Sequence, residues 1–306
     1  QNDLAEEVAR VIGYNNILKS ELKIPRGKIS NNYDIENKLR YFLLDQGFYE
    51  VINAPFVSSN SDKSIKVDNP LDSNREYLRT NITDSLLDNL IFNEKRQKDS
   101  IKLFEISDIY TSKNNEINKT RRLSIIASGR AGHNYKDFSK KINKKYLTKI
   151  FNEALPEENF DFQVLTRDSL NTKIKNEIIG CEVNINNFSA HVLNYKEATK
   201  SPNNFTQYRV ISDLPYSKRD LSFSIKDHSK CKPLESFILS FKDKLLKEVF
   251  IFDYYKNEKK QEIKIGFRFI FQSQDATITD KEVDNVMDLI INSALEYESI
   301  SIPGLA

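Results

Sequence analysis

Hydrophobic positions recur at helical spacing at the start of the chain. Leu4, Val8, Val11 and Ile12 share a face and Gly13 follows, which predicts a helix over 3–12. After a loop containing Pro25 and Gly27, Ile35, Leu39, Phe42 and Leu43 form a second stripe from about Asp34 that stops at Gly47. FYEVINAPFV (48–57) has strand character up to Pro55, and 58–66 is a polar loop. In LRTNITDSLLDNLIFN, Thr83 or Asp84 is placed to cap a helix carrying Leu86, Leu87, Leu90 and Ile91. IKLFEISDIYT (101–111) alternates like a half-buried strand, and RRLSIIASG (121–129) is a shorter strand ending at glycine. Helices and strands mix without a regular βαβ repeat, so the expected class is α+β around an antiparallel sheet.

KSPNN (200–204) reads as a linker, and the pattern sharpens beyond it. RDLSFSI (219–225) alternates. KPLESFILSFKDKL reads as a helix with Leu234, Phe237, Ile238, Phe241 and Leu245 on one stripe and Pro233 in its first turn. EVFIFDYY (248–255) and IKIGFRFIF (263–271) are hairpin partners across a lysine-rich turn at 256–260. Thr279 and Glu282 form a T-x-x-E capping box before the stripe of Val283, Val286, Met287, Ile290 and Ala294. ISI (300–302) closes the sheet. This βαββαβ order is the ferredoxin-like arrangement.

Composition narrows the class but not the function. A length of 306 residues fits two domains or one large one. With 39% hydrophobic and 29% charged residues the chain reads as soluble and globular, and a net charge of +2 singles out no partner. No apolar run approaches the roughly 18 residues of a membrane span. The chain opens on Gln1 inside a helical pattern, without a basic-then-apolar leader, as expected of a piece cut from a longer protein. Cys181 and Cys231 lie far apart, which argues against a disulfide framework or zinc site and for a reducing compartment. The segment 113–149 holds eleven Lys and Arg against two carboxylates; it is either a solvated face or a surface for nucleic acid.

Most catalytic constellations are absent. The eight glycines form no GxGxxG or GxxxxGK phosphate loop. His133, His191 and His228 lie near no GxSxG turn. Asp3, Glu6 and Glu7, at i, i+3 and i+4, share a helix face. Such a set suits a hard cation such as Mg²⁺, or equally complements the helix dipole.

Several segments together resemble one family. DLAEEVARVIGYNNI, NPLDSNREYLRTNITDSLLDNL, IKLFEISDIYT and LPYSKRDLSFSI…LKEVFIFDYYK…FRFIFQSQDATITDKEVDNVM are similar, in this order, to the β subunit of bacterial phenylalanyl-tRNA synthetase. The resemblance covers essentially the whole chain. It implies three parts: 1–20, the tail of a small helical domain; 21–205, a class II synthetase-like core without an active site; and 206–306, a ferredoxin-fold anticodon-binding domain. It implies phenylalanine–tRNA ligase activity as part of an α/β heterotetramer in the cytoplasm. The partner α subunit would use ATP and carry out the chemical step, while this chain alone would be inactive. It further implies that Asp3, Glu6 and Glu7 are Mg²⁺ ligands at a site shared with the α subunit and incomplete here. No GxGxGxER occurs in the chain, and Arg79 matches a motif of the non-catalytic core, where it would be structural or interface-forming.

The last domain offers an RNA surface on alternation alone. Ile263, Ile265, Phe267, Phe269 and Phe271 point to one face, under the helices, and Lys264, Gly266, Arg268, Ile270 and Gln272 to the other. Phe250, Phe252 and Tyr254 share that second face. Open sheets with aromatics and arginine hold single-stranded RNA by stacking and edge hydrogen bonds. The same residues equally suit packing against a neighbouring domain or partner. Lys218 and Arg219 are further candidates for phosphate or base contact. Residues 211–306 carry 14 Lys and Arg against 16 Asp and Glu, so weak binding of tRNA by this chain alone is expected. An unrelated alternative is a stand-alone RNA-binding or regulatory protein built on a degenerate synthetase core.

Overall fold

Two long strands, β5 (Ser100–Lys113) and β6 (Glu116–Gly129), pair antiparallel from Ser100↔Gly129 to Lys113↔Glu116 and form the spine of the first domain. The computed structural model describes residues 2–18, 20, 31–58, 63–113, 116–168, 170, 174–196, 210–258 and 261–304. The expected domain boundaries at 20–21 and 205–206, and the linker at 200–204, fall at or within stretches outside the described residues.

Ahead of the spine come α1 (Asn2–Ile12), α2 (Asn31–Asp45), β1 (Tyr49–Glu50), β2 (Phe56–Val57), β3 (Ile65–Lys66), β4 (Tyr77–Leu78) and α3 (Thr83–Lys95). After it come α4 (Lys144–Ala154), β7 (Gln163–Leu165) and β8 (Ile178–Asn184). The main sheet runs β1-β5-β6-β8-β7, antiparallel except for β1 beside β5, and β2-β4-β3 form a small second sheet. Of the stretch with strand character up to Pro55 only β1 is a strand, and β2 begins after that proline in the other sheet.

The spine is buried on both faces, not half-buried as alternation alone predicts. Phe104, Ile106, Leu123, Ile125 and Ala127 pack under Leu39, Phe42 and Leu43 of α2 and Leu147 and Phe151 of α4. Ile101, Leu103, Ile109 and Ile126 pack under Leu86 and Leu90 of α3. A helix on each side removes the solvent face that alternation normally marks.

The start of α3 differs from expectation. Thr83 lies inside the first turn, and the N-cap position is Ile82, which has no capping side chain. Glu182 of β8 takes over. Its Oε2 accepts from the amides of Ile82 and Thr83 at 2.9 and 3.1 Å and from Thr83 Oγ1 at 2.8 Å. A carboxylate from a distant strand thereby satisfies two orphan amides of a helix start, and Asn81 Oδ1 accepts from a third, that of Asp84, at 2.9 Å.

The second domain is β9 (Ser217–Ile225), α5 (Cys231–Ser240), β10 (Leu246–Asn257), β11 (Glu262–Phe271), α6 (Asp280–Leu295) and β12 (Ile300–Ser301). Its all-antiparallel sheet runs β10-β11-β9-β12, the ferredoxin-like order. Phe223, Phe267, Phe269 and Phe271 are buried under Leu234 and Ile238 of α5 and Val283, Met287 and Ile290 of α6. Helix α5 is shorter than its stripe predicts, because Phe241 turns to extended backbone (φ −60°, ψ 133°). Phe241 and Leu245 still pack on the same core from the connection. Helix α6 carries the expected capping box: Thr279 Oγ1 accepts from the Glu282 amide at 3.4 Å and Glu282 Oε2 from the Thr279 amide at 2.9 Å.

Candidate functional site: a sheet face joined to the core

The face of the second sheet away from its helices carries Phe250, Phe252, Lys264 and Arg268, as alternation predicts, but not Tyr254, which a register shift sets opposite Ile265 of the helix-covered face. Phe250 of β10 lies opposite Arg268 of β11. A register irregularity between Ile251 and Asp253 follows, and the Phe252 ring crosses over Gly266. A Cβ at Gly266 would stand 2.9 Å from Phe252 Cζ, so only glycine leaves room for that ring.

Part of this face is covered. The core segment 130–141 folds back on itself through an Arg130↔Lys141 bridge and presents its turn to the sheet. The His133 ring stacks on Phe250 at 5.5 Å and 20°. Phe138, 5% exposed, stands 5.7 Å from both Phe250 and Phe252. Tyr135 lies 5.5 Å from Tyr254. Arg268 makes two 2.7 Å bonds to Asp220, sits 4.7 Å from the Phe138 ring centre and 5.5 Å from that of Phe252, and comes within 4.0 Å of Asp99 in the core. The bond to Asp220 raises the Arg268 pKa above its ordinary value against the opposing effect of burial. His133, whose Nδ1 stands 4.0 Å from Glu248 Oε1, holds the Glu248 carboxyl below its ordinary value.

The eight candidates for RNA contact therefore do not form one open surface. Phe250, Phe252 and Arg268 meet the core. Lys218 reaches Asp99 at 3.8 Å and lies over the Tyr216 ring. Arg219 points to the other face, as the next residue of a strand must, and binds Asp280 and Asp284 of α6 at 2.7 and 3.4 Å. Gln272 donates to the carbonyls of Ser212 and Leu214 at 3.3 and 2.5 Å and accepts from Lys247. Lys264 and Tyr254 remain exposed. The core residues that meet this face, His133, Tyr135 and Phe138, sit in the basic segment, where three rings at short spacing among the lysines are their signal in the sequence. Among the described residues, seven of that segment's eleven cations make ion pairs within the chain.

Comparison with known proteins places both domains. Residues 19–174 match the model of the phenylalanyl tRNA synthetase beta chain CLM domain, and 212–300 match the ferredoxin-fold anticodon binding domain. The chain belongs to the phenylalanyl-tRNA synthetase β-chain family. A chloroplastic phenylalanine–tRNA ligase β subunit from Pyropia yezoensis is 27% identical over 92% of this chain and 44% of its own length. The β subunit of Bacillus cereus is 24% identical over 96% and 41%, and that of Mycoplasma mycoides 27% over 98% and 42%. The chain thus spans about two fifths of the length of the curated relatives it matches.

Within this β chain, Arg79 is a buried structural residue, 2% exposed. Its Nη2 bonds Glu105 at 2.8 Å and Ser107 Oγ at 2.5 Å, and its Nε bonds the Asp108 carbonyl at 3.2 Å. It ties the small sheet to β5. Burial pushes the Cys181 thiol up to about 12.

Asp3, Glu6 and Glu7 lie on the exposed helix α1, where Arg10 bonds Glu6 at 2.9 Å and Glu7 at 2.8 Å. Among the described residues no three His, Cys, Asp or Glu side chains gather where a metal ion would sit. Glu6 and Glu7 are engaged by Arg10 here and are not gathered with Asp3 around a cation position. No helix among the described residues is long and apolar enough to cross a membrane.

Proposed function

We propose that this chain is the part of a phenylalanine–tRNA ligase β subunit that docks the catalytic α subunit and places the anticodon region of the tRNA. The observation that carries the reading is the succession, in one chain, of a β-chain core match and an anticodon-binding match. Phenylalanine, ATP and the chemical step belong to the α subunit, within an α/β heterotetramer. The enclosure of Arg79 supports this division: an arginine that steadies a nucleotide phosphate must be open to it, and Glu105 closes this one in. Exposed apolar side chains supply a docking surface. Leu4 and Val11 on α1, Tyr49 of β1, Ile52 and Leu71 are all 70% exposed or more. A Mg²⁺ at Asp3, Glu6 and Glu7 would take its remaining ligands from outside this chain, and no step here depends on it. The free thiols of Cys181 and Cys231 fit a reducing compartment such as the cytoplasm.

The test is co-expression with the matching α subunit. Copurification and phenylalanine-dependent charging of tRNA(Phe) by the pair, with none by this chain alone, are the expected results. Persistent failure to associate would overturn the docking role.

A further inference from the structure

The covered sheet face and the charge of the second domain leave a problem for any RNA-binding role. The aromatics and Arg268 are largely occupied by the core, and residues 211–306 carry two more carboxylates than cations. Phosphate contacts therefore need charge from elsewhere. The core supplies it at one end of the sheet. Helix α3 ends in Lys95, and the chain then passes through Gln97 at φ 61°, a left-handed residue that turns Lys98 toward the second domain. The Gln97 carbonyl accepts from the Tyr216 hydroxyl at 2.5 Å, which pins this turn to the approach to β9.

A cleft of about 230 Å³ opens there, with Lys95, Arg96 and Lys98 from the core and Lys247 from β10 on its walls. Asp213 is the one carboxylate among the described residues lining it. Neither Lys95 nor Lys98 has a carboxylate partner among the described residues, and Lys247 is bonded to the neutral amide of Gln272. Four cations stand here against Asp213 on the wall and Glu248 beside Lys98 and Lys247, an excess of positive charge that a polyanion relieves. Burial first and the Lys98 charge second lower the Lys247 pKa, against the opposing pull of Glu248.

We infer that this interdomain cleft is a phosphate-binding site for an RNA strand, with Lys98 and Lys247 as its two central contacts. The inference rests on the tRNA-binding reading above and deepens it: the strand is held at the rim of the ferredoxin-like sheet, by both domains at once. An acidic protein segment would meet the same charges, and the family match to an anticodon-binding domain favours RNA over it.

The test uses this whole chain and a tRNA(Phe) transcript, with binding followed by fluorescence anisotropy between about 50 and 200 mM salt. The double variant Lys98→Ala/Lys247→Ala should bind at least about tenfold more weakly and flatten the logarithmic salt slope by about 1.5, two phosphate contacts at roughly 0.7–0.9 each. Lys98→Arg/Lys247→Arg should bind like the parent. A Lys264→Ala variant, on the exposed sheet, should move the slope by less than half as much. Both altered side chains are exposed, so an unchanged melting curve identifies a folded variant. Unchanged affinity and slope in the double variant would overturn the cleft while leaving tRNA binding in place. No tRNA binding by the parent chain at the lowest salt would overturn both readings. Binding of polyglutamate with none of tRNA would overturn the choice of RNA.

Discussion

The Arg268 guanidinium stands 4.7 Å from the centre of the Phe138 ring, and the two residues belong to different domains. That contact, with the rings of Phe250, Phe252 and His133 around it, makes a packed seam. Phe138→Ala should destabilise the chain by about 3 kcal/mol, the usual effect of removing a buried ring. In a double-mutant cycle with Phe250→Ala, measured by urea unfolding, a coupling of about 1 kcal/mol is expected. Strict additivity would show that the two rings do not act together.

The seam should also respond to acid. The nearby His133 holds the Glu248 carboxyl below its ordinary value, so protons bind the unfolded or opened chain more readily. The stabilisation is therefore fully present above the ordinary glutamate value and is lost as pH falls through the depressed one. Calorimetry across this acidic range should show the seam weakening, and Glu248→Gln should remove that part of the pH dependence. A Glu248→Gln profile identical to the parent would count against the His133 contact.

Arg79→Leu leaves the Glu105 carboxylate buried without its main partner. A loss of about 3–5 kcal/mol is expected, as for other broken buried ion pairs. Arg79→Leu/Glu105→Leu should recover most of it, because both charges are then gone. Chemical denaturation of the three proteins checks this, and a double variant no better than the single one contradicts the pairing.

Glu182→Ala removes the acceptor for two amides and a hydroxyl at the start of α3. An effect of about 1–2 kcal/mol is expected, at the upper end for a helix cap. Hydrogen exchange should localise it to the first turn of α3. Protection unchanged there would show that the cap is dispensable.

The second domain was almost fully legible because its signals are local. Alternation in IKIGFRFIF, the T-x-x-E box and the stripe of α6 each arise from residues within a few positions of one another. The core was harder to see. The burial of β5 on both faces depends on α3 crossing it, and the cap of α3 comes from Glu182, about a hundred positions along. The candidate site shows the same divide. Alternation assigned Phe250, Phe252 and Arg268 to one face, but only tertiary structure reveals that 130–141 lies against it. Arg219, next to Lys218 in the strand, points to the opposite face because neighbours in a strand alternate.

The room above Gly266 is filled by Phe252, whose ring meets Phe138 across the seam. Three positions in two domains are thereby bound into one inheritance. A lineage that gains a side chain at 266 must shrink or move 252, and then tolerate a different neighbour at 138. The mark of that dependence lies in descent: among relatives these positions should change together or not at all, although separate stretches of chain carry them.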